Sequence, residues 1–115
     1  MPKVLLIEVL VPAIADPIVN GQVSVSVESA PAADAASVTI GGAEIQLRNF
    51  SSTRELRLRV ECPVAAGAAV GRLEASAILK RRKTGALRTG DLLSVAACPF
   101  GSDGTAVVRL VAFDG

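Results

Sequence analysis

Hydrophobic and polar residues alternate one by one along much of the chain, which is typical of β-strands that bury one face. Valines alternate with serines and a glutamate over residues 23–28, and leucine, valine and cysteine alternate with glutamate and arginine over residues 55–62. Residues 72–79 repeat the pattern, with Ile78 at an otherwise polar position. Because only a half-buried sheet explains this matched alternation, the sequence predicts an all-β protein.

Four further segments complete the predicted set of strands. Residues 4–11, 36–47, 92–97 and 106–113 are rich in Val, Leu, Ile or Ala, and Gly41-Gly42 is a candidate break in the second of them. Seven short strands with regularly spaced turns favour an antiparallel β-sandwich. We therefore predict an antiparallel β-sandwich of about seven strands, with residues 1–115 as a single domain.

Proline and glycine mark the predicted turns between these strands. The turns are predicted at residues 12–17, 20–21, 84–90 and 99–104, and Pro63 is predicted to end the fourth strand because it lacks a backbone donor.

The composition restricts the core to aliphatic side chains, since aromatic residues make up only 3% of the chain and Trp and Tyr are absent. Both cysteines are expected to be buried as small hydrophobic residues, with a disulfide as the alternative. The predicted core comprises Leu6 or Ile7, Val23, Val25, Val27, Leu56, Leu58, Val60, Leu73, Leu79, Leu110 and Phe113.

The chain contains no histidine, which removes the usual base at neutral pH and the usual partner of a serine or cysteine nucleophile. Two thiols, Cys62 and Cys98, are too few for a tetrahedral zinc site. No phosphate-binding or nucleophile-elbow motif is present. We therefore expect no enzymatic activity, no catalytic or metal-binding residues and no cofactor.

The net charge of +1 argues against nucleic acid as the main partner, since such binding depends on many phosphate contacts. The apolar segment 4–11 is too short to cross a bilayer and lacks the features of a signal peptide. We expect no membrane insertion and a cytoplasmic location for the chain as given. A periplasmic or lipid-anchored form is the alternative if a leader has been removed.

The densest charge feature is the run Lys80, Arg81, Arg82 and Lys83, followed by Arg88. One interpretation is a hairpin tip that binds an acidic partner. The other is a solvated loop whose charges protect a sheet edge from aggregation. Both interpretations remain open from the sequence.

Self-association is also indicated by the sequence. The mean hydropathy of +0.49 is high for a monomeric protein. Ile78 lies among polar positions, and Val107 and Val111 are expected on the same outward face of the predicted strand as Arg109. Such residues suit a dimer face or edge-to-edge extension of a sheet, so a homo-oligomer is expected as an alternative to a separate protein partner.

Two stretches of the chain resemble a known family. Residues 23–45, V-S-V-S-V-E-S-A-P-A-A-D-A-A-S-V-T-I-G-G-A-E-I, resemble the first half of YbaY-like domains. Residues 84–94, T-G-A-L-R-T-G-D-L-L-S, resemble the hairpin of the same family. YbaY-like domains are related to the pilotins, the lipoprotein chaperones of type III secretion.

The resemblance implies a small β-sandwich that binds another protein and turns over no substrate. The family's lipoprotein signal is not visible here. The family's hairpin is often acidic, whereas this one is basic, so no metal site is carried over. The sequence thus predicts a non-enzymatic protein-binding or chaperone-like β-sandwich module. The alternative is a structural homo-oligomer without a separate ligand.

Overall fold

The computed structural model describes residues 3–30, 38–65, 71–82, 85–94 and 98–113. The predictions made for Lys83 and for residues 95–97 lie outside these ranges. The described residues form nine strands: β1 (Lys3–Val11), β2 (Ile14–Ala30), β3 (Val38–Ser52), β4 (Leu56–Val64), β5 (Arg72–Lys80), β6 (Leu92–Leu93), β7 (Cys98–Pro99), β8 (Thr105–Arg109) and β9 (Val111–Ala112).

The strands form two sheets that pack face to face. The smaller sheet has the order β4-β1-β8, and the larger has the order β3-β2-β5-β6-β9, with β7 paired to β5. The predicted all-β sandwich is confirmed. It differs from the prediction in two details, because two-residue strands raise the count to nine and because β1 pairs with β8 in parallel.

The chain passes from one sheet to the other at Leu110. The segment predicted as a single strand over residues 106–113 is divided there, so that β8 lies in the smaller sheet and β9 in the larger. Leu110 is only 2% exposed. Its backbone amide donates a 3.1 Å hydrogen bond to the carbonyl oxygen of Leu10. At this crossing, the side chain of Leu110 thus stays in the core and its backbone amide stays hydrogen-bonded.

The predicted interruptions at Pro17 and at Asn20-Gly21 are wrong, because β2 continues through all three residues. A register shift between Ile14 and Ile18 accommodates the proline. Gly21 serves close packing, since a Cβ there would meet the carbonyl oxygen of Lys80 and would lie 2.7 Å from the Cγ2 of Ile18. The glycine therefore permits a close backbone approach within a strand and forms no turn.

Strand β4 also continues past its predicted end at Pro63, which lies opposite Val4 in the ladder with β1. Among the described residues, β4 is an edge strand of the smaller sheet. Proline is tolerated in an edge strand because the outer side of such a strand has no neighbour that needs a backbone N–H donor.

The core lies between the two sheets and is aliphatic, as the composition requires. Leu58 and Leu73, predicted as core residues, are partly exposed but pack against it. Leu56 and Phe113 are also partly exposed. The predicted core residues that are confirmed as buried are Ile7, Val23, Val25, Val27, Val60, Leu79 and Leu110.

The two cysteines lie in different sheets, Cys62 in β4 and Cys98 in β7, and no disulfide joins them. Cys62 is fully buried, which confirms the expected packing role, whereas Cys98 is half-buried. Burial raises the pKa of the Cys62 thiol, because the apolar surroundings disfavour the thiolate.

Candidate protein-binding site

The basic run lies in the connection between β5 and β6. We call residues 80–91 the basic loop; the structure describes residues 80–82 and 85–91 of it. The flanking strands pair antiparallel, with Leu79 opposite Leu92. Within the loop, Gly85 and Gly90 have φ angles of 94° and 99°, which only glycine adopts without strain. The loop thus forms where the sequence places its glycines.

A single carboxylate joins the two ends of the basic loop. Asp91 is only 5% exposed. Its Oδ1 accepts a 2.9 Å hydrogen bond from the backbone amide of Arg81, and its Oδ2 accepts a 2.8 Å hydrogen bond from the amide of Arg88. Its own backbone carbonyl accepts a 2.8 Å hydrogen bond from the amide of Phe113 in the last described segment. The loop is therefore fixed to the sheet, and its arginines start from defined backbone positions.

Two of the predicted binding residues make hydrogen bonds inside the fold. The Nε of Arg81 donates to the carbonyl oxygen of Gly90 at 2.9 Å, and its Nη1 donates to the carbonyl oxygen of Asp16 at 3.1 Å. The Nζ of Lys80 donates to the carbonyl oxygen of Gly85 at 2.7 Å. Both side chains thus hold the loop against itself, and Arg81 also holds it against β2.

The other two described basic residues, Arg82 and Arg88, are exposed to solvent. They border a depression of about 160 Å³ beside the loop. The structure thus brings Lys80, Arg81, Arg82 and Arg88 into one region beside the buried Asp91. The depression is lined by Arg81, Arg82, Ala86, Arg88, Thr89 and Asp91.

No pattern in the sequence indicates a role for the carbonyl oxygen of Asp16, and the charge run alone indicates none for Asp91. The Gly90-Asp91 pair at the end of the hairpin was a usable signal, since aspartate beside glycine often bonds backbone amides in turns. The contact with Asp16 had no local signal, because its partner Arg81 lies in a distant part of the sequence.

Other chemistry is sparse in the part of the chain that the structure describes. It contains no group of three or more His, Cys, Asp or Glu side chains placed to hold a metal ion. Within the same residues, no helix is long and apolar enough to cross a membrane.

The chain is similar to a known protein in fold, but at low sequence identity. No protein-family model matches the chain, and no curated protein matches it. Among solved structures, the chain is similar to an alternative pilotin from the type II secretion system of Vibrio cholerae. The TM-score is 0.65 at 16% identity, and the match covers 100% of both chains. The chain therefore has a pilotin-like fold, in agreement with the fold that the sequence resemblance implies.

Proposed function

We propose that this chain is a non-enzymatic, chaperone-like protein-binding module related to the YbaY-like and pilotin families. We further propose that its basic loop binds an acidic segment of the partner protein. The observation that carries the proposal is the fixed basic loop, in which Asp91 positions the backbone of Arg81 and Arg88. The pilotin-like fold supports the chaperone-like role.

The chemistry of the loop favours an acidic protein segment as the ligand. Guanidinium groups bind carboxylates through paired hydrogen bonds, and exposed positive charge raises the rate of association with an acidic partner. Arg82 and Arg88 are exposed beside the depression and available for such pairing, while Lys80 and Arg81 add positive potential from within the loop. Lys83, in the same run, is proposed as a further contributor.

The remaining parts of the proposal follow from the whole sequence. A chain without histidine lacks the common base for catalysis, which supports a binding role without a cofactor. The shared core of the two sheets supports a single domain. The small net charge favours a protein partner over nucleic acid. The resemblance to lipoprotein chaperones favours the cell envelope over the cytoplasm as the place of action.

The proposal is tested by binding of a synthetic ten-residue Glu/Ser peptide to wild type and to the double variant Arg82→Glu/Arg88→Glu, followed by fluorescence anisotropy. These two arginines are chosen because their side chains are exposed, whereas Arg81 also holds the loop together. We expect the double variant to bind the peptide roughly tenfold more weakly, and the wild-type affinity to fall with added salt.

The matched control is Lys3→Glu/Arg72→Glu, which makes the same charge change at exposed positions in β1 and β5, beside the end of β5 that is far from the basic loop. We expect this control to bind the acidic peptide almost as wild type does. Equal weakening in both double variants would show that only net charge matters and would refute the basic loop as the site. A Gln/Ser peptide that binds as tightly as the Glu/Ser peptide would refute the acidic ligand.

A further inference from the structure

Strand β3 forms one edge of the larger sheet and, in the described part of the chain, pairs only with β2. Its ladder with β2 is regular from Arg48, opposite Asn20, to Gly41, opposite Val27. A register shift lies beyond Gly41, and Asn49 has a φ of 50°, so these irregularities bound the regular stretch. A long edge with a regular register offers a row of backbone donors and acceptors to another strand.

This stretch of β3 lacks two of the residue types that commonly keep an edge strand from pairing. Its sequence from Gly41 to Arg48 is G-G-A-E-I-Q-L-R, with no proline and no lysine. Proline does occur at the edge strand of the other sheet, as Pro63 in β4. Ala43 and Ile45 of β3 are half-buried against the core, so an added strand would cover apolar surface as well as backbone.

The exposed side chains of β3 are complementary to themselves. Glu44, Gln46 and Arg48 are all exposed and alternate with the inward-facing Ile45 and Leu47. In an antiparallel pair of two β3 strands centred on Gln46, Glu44 of each copy lies opposite Arg48 of the other. The same register places Ile45 opposite Leu47 on the inner face. Opposite charges and apolar pairs at directly opposed positions stabilise antiparallel strands.

Neighbouring registers lose this complementarity. A shift by one residue would turn the apolar face of one copy towards solvent. Centring the pair on Ile45 or on Leu47 separates Glu44 from Arg48, and centring it on Glu44 or on Arg48 places like charges opposite each other. Like charges at opposed positions destabilise a strand pair. The pattern therefore selects the register centred on Gln46.

We propose that β3 is a dimerisation edge, where a second copy of this chain adds its own β3 antiparallel about a twofold axis at Gln46. The two larger sheets join into one continuous sheet across the interface. This inference goes beyond the proposed function, because the interface involves β3 and leaves the basic loop between β5 and β6 outside it.

Charge reversal at the two ends of the register tests the proposal by sedimentation equilibrium of the full chain. We expect wild type to dimerise reversibly, and Glu44→Arg and Arg48→Glu each to raise the dimer dissociation constant at least about tenfold, because two attractive pairs become repulsive. An equimolar mixture of the two variants should dimerise close to the wild-type value, since each copy then presents the charges that the other lacks. The double variant Glu44→Arg/Arg48→Glu should also recover self-association.

The matched control is Lys3→Glu, an exposed charge reversal on β1 of the smaller sheet, which should leave the dissociation constant unchanged. Recovery in the mixture cannot come from misfolded variants, so the test separates loss of the interface from loss of the fold. Wild type that sediments as a monomer up to its solubility limit overturns the proposal. Dimerisation that is equal in wild type and both single variants overturns it as well.

Discussion

The buried carboxylate of Asp91 accepts a hydrogen bond from the backbone amide of Arg81, ten residues earlier in the chain, at 2.9 Å. Its second oxygen accepts from the amide of Arg88 at 2.8 Å, so each oxygen satisfies one end of the basic loop. A loop whose geometry is fixed before binding loses less conformational entropy when a ligand binds. The positions of the loop arginines thus depend on an acidic residue.

Replacing Asp91 with asparagine should loosen the basic loop and destabilise the fold. One oxygen of the carboxylate becomes an NH₂ group, which cannot accept, so one of the two backbone amides loses its partner. We expect the free energy of unfolding in urea to fall by about 1–3 kcal/mol. Trypsin should also cleave faster after Arg82 or Arg88 in the variant.

Asp103→Asn is the control for this prediction, because the Oδ1 of Asp103 accepts a 3.1 Å bond from the amide of Thr105 in an exposed turn. Its free energy of unfolding should change by less than about 0.5 kcal/mol. Equal stability of the Asp91 and Asp103 variants would contradict the structural role of Asp91.

Substitution of Gly21 by alanine should be strongly destabilising. The new Cβ would collide with the carbonyl oxygen of Lys80, which is backbone and cannot rotate away. We expect a loss of about 1–3 kcal/mol or more in the free energy of unfolding. Gly42→Ala provides the comparison, since the Cβ that it adds would lie 3.1 Å from its nearest neighbour, the carbonyl oxygen of Val25, and the residue is exposed. A Gly21 variant as stable as the Gly42 variant would rule out the close approach of the two backbones.

Truncation of Ile7 should expose the dependence of the sandwich on its aliphatic core. Ile7 is 0% exposed in the central strand of the smaller sheet, so Ile7→Ala leaves a cavity. We expect a loss of about 2–5 kcal/mol, measured by chemical denaturation. Val107→Ala in the neighbouring strand β8 should cost less than about 0.5 kcal/mol, because Val107 is 49% exposed. Similar losses of stability in both variants would contradict the assignment of Ile7 to the buried face of the smaller sheet and of Val107 to its solvent face.

The Cys62 thiol should resist labelling and should make stability depend on pH. A thiol reagent is expected to modify the half-buried Cys98 first and Cys62 only on unfolding. Because burial raises the pKa of Cys62, the folded chain retains the proton where the unfolded chain has lost it. Stability should therefore fall as pH rises above about 8.5, by at most about 1.4 kcal/mol per pH unit.

The variant Cys62→Ala isolates this effect, since the other titrating groups remain unchanged. Its unfolding free energy in urea should lack the part of the alkaline slope that Cys62 contributes. Identical slopes for wild type and variant between pH 8 and 10, or equally fast labelling of both thiols in the native protein, would contradict the burial of Cys62.

Alternation alone predicted the all-β class and several buried residues, because the two faces of a strand differ in their contact with water. The limits appear where distant parts of the chain meet. Asn20-Gly21 has the composition of a turn, yet the close approach of Lys80 keeps both residues in a strand. The division of the last segment at Leu110 depends on its bond to Leu10, which no local pattern reveals.

The same distinction applies to the candidate site. The charge run predicted where positive charge accumulates, since charge is a property of the local sequence. It did not distinguish the arginine that holds the loop from those that face solvent. That distinction depends on Asp16, which supplies the carbonyl acceptor for Arg81 from another strand.

The parallel pairing of β1 with β8 has a consequence for synthesis of the protein. Leu6 lies opposite Thr105 in this ladder, so the central strand of the smaller sheet obtains one of its two neighbours only after the chain from β1 through β8 has been synthesised. Until β8 is added, one edge of β1 has no neighbouring strand and its apolar side chains are incompletely buried. Contacts between such distant residues slow folding. A nascent chain of this topology therefore passes through a period in which it is prone to aggregate.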